Sequence, residues 1–181
     1  MKRTISILAA LALAALAAGV AGASSRSPRF DPPKRYYLAL GDSVAYGYQQ
    51  PKVDAGLPAS AFDTGYVDDF AARLRRIRPR ISVVDYGCPQ ESTSSFIKGP
   101  CPQNALGFPL HAKFSGSQLH AAIGFLHAHR GQVSPITLTL GGKDIGDFAD
   151  ACGNDLTCIK NGAPAEIRAM AANLRTILAR L

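Results

Sequence analysis

Apolar positions along this chain repeat in a fixed order, short runs of strand length followed by longer stripes at helical spacing. Tyr36-Tyr37-Leu38-Ala39-Leu40 is an apolar run ended by Gly41-Asp42. Ile81-Ser82-Val83-Val84-Asp85 is a β-branched run ended by Gly87, and Ile136-Thr137-Leu138-Thr139-Leu140 is a third, ended by Gly141-Gly142. Each has the length, composition and glycine punctuation of a strand. Between them, Val67, Phe70, Ala71, Leu74 and Ile77 share one helical face, with Asp63 or Thr64 as the expected cap and Pro79 as the stop. Leu119, Ala122, Ile123 and Leu126 repeat the spacing up to Gly131. Ile167, Met170, Ala171, Leu174, Ile177, Leu178 and Leu181 form the longest stripe, which Pro164 is expected to open near its first turn.

Strands alternating with helices predict right-handed crossovers and a parallel sheet covered on both faces. Chemistry in such sheets gathers at the carboxyl ends of the strands. That directs attention to Gly41-Asp42-Ser43, to Gly87, and to Gly141-Gly142-Lys143-Asp144.

The N-terminus belongs to a different class of segment. Lys2 and Arg3 precede an apolar run from Ile5 to Val20 that closes on Ala21-Gly22-Ala23. This is the pattern of a secretory signal peptide, residues 1–23, cleaved after Ala23. The competing reading, a membrane anchor, is weaker because alanine dominates the run. A Ser-, Arg- and Pro-rich stretch, 24–34, has little to bury and reads as a disordered lead-in to one domain, 35–181. The expected location is therefore extracellular, without stable membrane insertion.

The formal net charge is +7. Arg73, Arg75, Arg76, Arg78 and Arg80 cluster on and after one expected helix. Such a run can mark an anionic partner. With no aromatic residues interleaved to stack bases, a nucleic-acid partner is not expected, and the run reads as the solvated face of a helix. Four cysteines in an exported chain are expected to be bridged. Cys88 and Cys101 share one loop and Cys152 and Cys158 another, so the local pairing is the simplest of the three possible. Zinc is not expected, because these spacings lack the paired C-x-x-C of a structural site. Gly142-Lys143 lacks the remaining residues of a phosphate-binding loop, and no G-x-G-x-x-G follows a strand, so no cofactor is expected.

Ser43, directly after the first strand, is the candidate nucleophile, although a serine after Gly-Asp is commonly only a turn or cap residue. Its neighbours add to the case. The blocks LALGDSVAYGY, DYGCPQESTSSFI and TLTLGGKDIGDF resemble, in order and spacing, the first three conserved blocks of the GDSL/SGNH hydrolases. GCP with a following CP, then PLH, GSQL, AAIGFLHAHRGQVSP and NLRTIL, is similar to the secreted actinobacterial-type members, over essentially the whole chain after the leader. The resemblance implies an α/β fold, a flavodoxin-like three-layer α/β/α sandwich with a parallel sheet. It also implies hydrolysis of a small-molecule or lipid ester through a serine nucleophile. Ser43 matches that nucleophile, and the backbone N–H groups of Ser43 and Gly87 match two oxyanion donors.

Two positions depart from the family pattern. The third oxyanion donor is an asparagine in a G-x-N-D block, and Lys143 occupies its position in Gly141-Gly142-Lys143-Asp144. Lysine replaces a short neutral donor with a hydrated cation on a flexible stem, able to pair with Asp42 or Asp144 instead. Losing one such donor typically costs about 10²–10³ in rate. The family's D-x-x-H, whose histidine deprotonates the serine, is not matched by His111, His120, His127 or His129. Members of the family continue through further strands, so the sheet is expected to be incomplete at its C-terminal side. An impaired or inactive serine ester hydrolase is the leading expectation, and a secreted non-catalytic protein or gene fragment the alternative.

Overall fold

A computed structural model of the protein describes residues 31–153 and 155–181. The expected signal peptide and most of the lead-in lie outside the described residues. The described end of the lead-in, 31–34, forms no helix or strand, yet Pro33 is buried and the Lys34 N–H donates to the Ser134 carbonyl at 2.9 Å.

Three parallel strands form the sheet, β1 (Tyr36–Gly41), β2 (Ser82–Asp85) and β3 (Val133–Thr139), in the order β2-β1-β3. Tyr36 sits opposite both Ser82 and Val133, so the strands begin at one level. The central strand is buried on both faces, which is why it reads as a continuous apolar run rather than an alternating one. Between β1 and β2 lie α1 (Ser43–Tyr46), α2 (Gln50–Asp54), a 3-10 turn (Ala59–Phe62) and α3 (Tyr66–Ile77). Between β2 and β3 lie α4 (Thr93–Lys98), a second 3-10 turn (Pro102–Leu106) and α5 (Gln118–Ala128). Helices α6 (Gly142–Ala151) and α7 (Leu156–Leu178) follow β3.

Alternation along β1 sorts the core into two halves. Tyr37 and Ala39 pack with Val67, Ala71 and Leu74 of α3 on one face. Leu38 and Leu40 pack with Phe96 of α4, Leu119 and Ala122 of α5, and Ile177 of α7 on the other. A third cluster of Tyr46, Phe62, Cys88, Cys101 and Leu110 closes the space beside α1.

Three element boundaries differ from expectation. Helix α3 is capped by Gly65, whose N–H donates to the Asp68 carboxylate at 3.2 Å, rather than by Asp63 or Thr64. Strand β3 starts three residues before Ile136, because Val133 pairs with Tyr36 through a register shift that the apolar run does not reveal. Helix α7 starts at Leu156, where the Asp155 carboxylate caps the Thr157 N–H at 2.8 Å, so Pro164 lies inside the helix instead of opening it. A proline there leaves one carbonyl a turn earlier without its helical donor. The capped first turn is sufficient to begin the helix before it.

Candidate functional site

The candidate site is built from the turn that ends β1. Gly41 has φ +131°, and a Cβ there would lie 2.0 Å from the Thr139 carbonyl oxygen of β3, so the approach of the two strands requires glycine. Asp42 follows as the cap of α1. Its carboxylate accepts from the Val44 N–H at 2.9 Å and from the Thr139 hydroxyl at 3.2 Å, while its own N–H donates to the Thr139 carbonyl at 3.0 Å. Ser43 is thereby held at the first position of α1, half-buried at the carboxyl end of the central strand. Neither its N–H nor its hydroxyl has a partner among the described residues.

Beneath the turn lies a buried polar relay. The Gln118 side chain accepts from the Gly41 N–H at 2.6 Å and donates to the Gly41 carbonyl at 3.0 Å. The same amide nitrogen donates to Glu91 at 3.1 Å, and the Ser95 hydroxyl donates to the other Glu91 oxygen. Glu91 and Gln118 are both fully buried. Burial pushes the Glu91 carboxyl up to about 7, while the bonds from Ser95 and Gln118 pull it back toward the charged form. Glu91 and Gln118 carried no functional reading in the sequence; their contact separates residues 27 positions apart and needs the folded chain.

Two clefts border Ser43. One, of about 310 Å³, includes Asp42, Ser43, Gln90, Glu91, Lys143 and Asp147 in its lining. The other, of about 330 Å³, is lined by Ser43, Val44, Gly47, Tyr48, Gln49, Gly65 and Tyr66.

Gly87, expected as an oxyanion donor, lines neither. Its N–H donates to the Asp85 carboxylate at 2.7 Å, and a Cβ at Gly87 would sit 2.6 Å from the Tyr46 nitrogen. Close packing against α1 accounts for this glycine, and its N–H is engaged by Asp85 within its own loop. The residues of this loop that line the cleft are Gln90 and Glu91, and the Gln90 backbone takes φ +71°. That left-handed geometry is uncommon for a residue with a side chain. The Gln90 N–H has no acceptor among the described residues. Nothing in the sequence signals this role, because glutamine does not advertise a left-handed turn.

Lys143 does reach the cleft, but its ammonium pairs with Asp147 one turn along α6, not with Asp42 or Asp144. Asp144 is turned the other way. Its carboxylate accepts from the Thr93 N–H at 2.9 Å and from the Thr93 hydroxyl at 2.5 Å, and the Asn173 amide donates to the same hydroxyl at 3.0 Å. That set ties α6, α4 and α7 together and leaves Asp144 structural.

None of the four histidines lines either cleft. His120 and His127 are exposed on α5, in line with a surface role, and His129 bonds the Phe125 carbonyl at 3.0 Å beneath the Tyr36 ring. The His111 ring lies between the Tyr46 carbonyl at 3.0 Å and the Asp63 carboxylate at 3.1 Å. Both ring nitrogens thus face acceptors. Nearby Asp85 is pushed up to about 6, chiefly by burial, with the Gly87 N–H and His111 acting in the opposite direction.

The cysteines form the local bridges expected, Cys88–Cys101 and Cys152–Cys158, with Cα–Cα distances of 5.9 and 5.6 Å. The first bridge anchors the Gln90 loop. Among the described residues no cluster of His, Cys, Asp or Glu is arranged to hold a metal, and no helix is long and apolar enough to cross a membrane. The chain is therefore a disulfide-bridged, mixed α/β protein with a parallel three-stranded sheet and helices on both faces. Comparison with protein-family models, with curated proteins and with solved structures returned no match.

Proposed function

We propose that this chain carries the nucleophile half of a serine ester hydrolase site, with Ser43 as the attacking residue, on a flavodoxin-like sheet of the SGNH type. The strand order β2-β1-β3 supports the sheet assignment, since it is the start of the flavodoxin-like order. One observation carries the functional reading: Ser43 begins a helix at the carboxyl end of the central strand, and Ser43 and Gln90, residues that line one cleft, both have uncommitted N–H groups among the described residues. Two preorganised N–H donors beside a nucleophile are what a developing acyl oxyanion needs. In this reading Ser43 Oγ attacks the ester carbonyl, the alcohol departs with a proton, and water releases the acid from the acyl-enzyme. No histidine of the described residues reaches Ser43, and general-base help is typically worth about 10²–10⁴ in rate.

The alternative is a secreted protein that binds in this cleft without turnover. The Lys143–Asp147 pair favours it, because the ammonium is engaged away from the oxyanion position.

Hydrolysis of short-chain aryl esters separates the readings. The 181-residue chain is expected to match its Ser43→Ala variant. A chain extended by a C-terminal D-x-x-H segment from a secreted hydrolase of this type is expected to gain Ser43-dependent turnover and to be labelled at Ser43 by a fluorophosphonate. An extended chain that folds yet shows neither would overturn the site. Turnover by the unextended chain that disappears in Ser43→Ala would instead place a base among the four histidines.

A further inference from the structure

Charge on this fold is divided along the strand direction. Asp42, Asp85 and Asp144 sit at or just past the carboxyl ends of β1, β2 and β3, with Glu91 and Asp147 beside the Ser43 cleft. The opposite end of the sheet is cationic. Lys34 and Arg35 precede β1, Arg78 and Arg80 precede β2, and Arg130 precedes β3, while α3 delivers Arg76 to the same level. Their placement is set by the backbone: the Ser82 N–H donates to the Arg35 carbonyl, the Ile81 N–H to Arg78, and the Lys34 N–H to Ser134. No Asp or Glu occurs from residue 70 to 84 or from 92 to 143; Asp31, three residues before Lys34, is the carboxylate nearest these cations in sequence, and it is within ion-pair distance of none of them. The five arginines are exposed, and among the described residues none is within ion-pair distance of a carboxylate.

We infer that this end of the sheet is a docking surface for an anionic phospholipid bilayer, which holds the chain peripherally with the Ser43 cleft facing away from the lipid. Each cation near such a surface contributes attraction, so six acting together orient as well as bind. Ile77 decides between a bilayer and a polyanion. It is 54% exposed at the end of α3, directly between Arg76 and Arg78. An exposed apolar side chain flanked in sequence by two cations gains from the boundary between headgroups and acyl chains. A nucleic acid offers it nothing, and the available ring nearby, Tyr36, is already covered by Arg35 at 5.1 Å and by Phe125 at 5.3 Å. The surface does not depend on whether Ser43 is catalytic.

Vesicle flotation with the full chain tests this. Binding is expected to phosphatidylcholine vesicles containing phosphatidylglycerol and not to phosphatidylcholine alone. It is expected to be lost near 1 M salt, where the screening length is about 3 Å. Arg76→Gln/Arg78→Gln/Arg80→Gln should weaken it about a hundredfold with an unchanged melting curve. If that variant misfolds, Arg35→Gln/Arg130→Gln on separate loops serves the same purpose, and Ile77→Ser should weaken binding several-fold at unchanged charge. Equal binding to both vesicle types, or binding indifferent to the arginine variants, would overturn the inference. So would tighter binding to heparin or to single-stranded nucleic acid than to anionic vesicles.

Discussion

Gln90 illustrates how much a single backbone angle carries. Its φ of +71° puts a Cβ where L-residues pay roughly 1–2 kcal/mol, part of which glycine would return through its freer unfolded chain. Gln90→Gly is therefore expected to stabilise the protein by about 0.5–1 kcal/mol, read as a raised denaturant midpoint at unchanged slope. A loss of stability would mean that the glutamine side chain holds the loop, and the cleft geometry would need revision. Gly41 is the contrasting case, since there the neighbouring strand leaves no room for any side chain.

At the level of elements, the loop between β2 and α4 is tied to β1 at its start by the Cys88 N–H donating to the Gly41 carbonyl at 2.9 Å, and beyond that its position beside Ser43 rests on the Cys88–Cys101 bridge and on Gln118. The bridge closes a separation of 13 residues and that of Cys152–Cys158 a separation of 6. On the chain-entropy model the two contribute about 3 and about 2 kcal/mol. The Cys88→Ala/Cys101→Ala pair is expected to cost the larger amount in equilibrium unfolding and to loosen the Gln90 amide in hydrogen exchange. Cys152→Ala/Cys158→Ala should leave that amide unchanged. Equal effects of the two pairs on the Gln90 amide would argue that α4 and α5, not the bridge, hold the loop.

For the molecule as a whole, three carboxyls taken out of water shape the pH dependence, Asp68 being raised by burial alongside Glu91 and Asp85. Glu91 rises from 4.5 to about 7 and Asp85 from 3.8 to about 6 on folding. Raised values mean that the folded state holds protons that the unfolded state releases. Stability is then greatest below the unfolded values, falls as pH climbs through about 4 to 7, and levels off above. Glu91 alone accounts for on the order of 3 kcal/mol of that fall. Glu91→Gln can still accept from Gln118 and donate to the Ser95 hydroxyl, so it should flatten the upper part of the curve and leave the part below about pH 6 due to Asp85. Thermal melts from pH 4 to 8 check this. A curve that rises with pH in the wild-type chain would refute the sign.

Local pattern and chemistry were enough for the strands, for α3 and α5, for the local cysteine pairing and for the position of Ser43 at a strand end. Each of these depends on neighbours in sequence: the period of apolar residues, a glycine stop, a short loop between two thiols. What tertiary structure alone decided is the environment of the serine. Gly87 and Gln90 are three residues apart in one loop, yet the packing of Gly87 against Tyr46 and its bond to Asp85 remove it from the cleft and leave Gln90 there. Lys143 was free on paper to seek Asp42 or Asp144, but Thr93 and Asn173 claim the side of α6 that Asp144 faces, and Lys143 closes on Asp147. The segregation of charge to the two ends of the sheet follows the same logic. Arg35, Arg78 and Arg130 are far apart in the chain, and only parallel strands starting at one level bring them together.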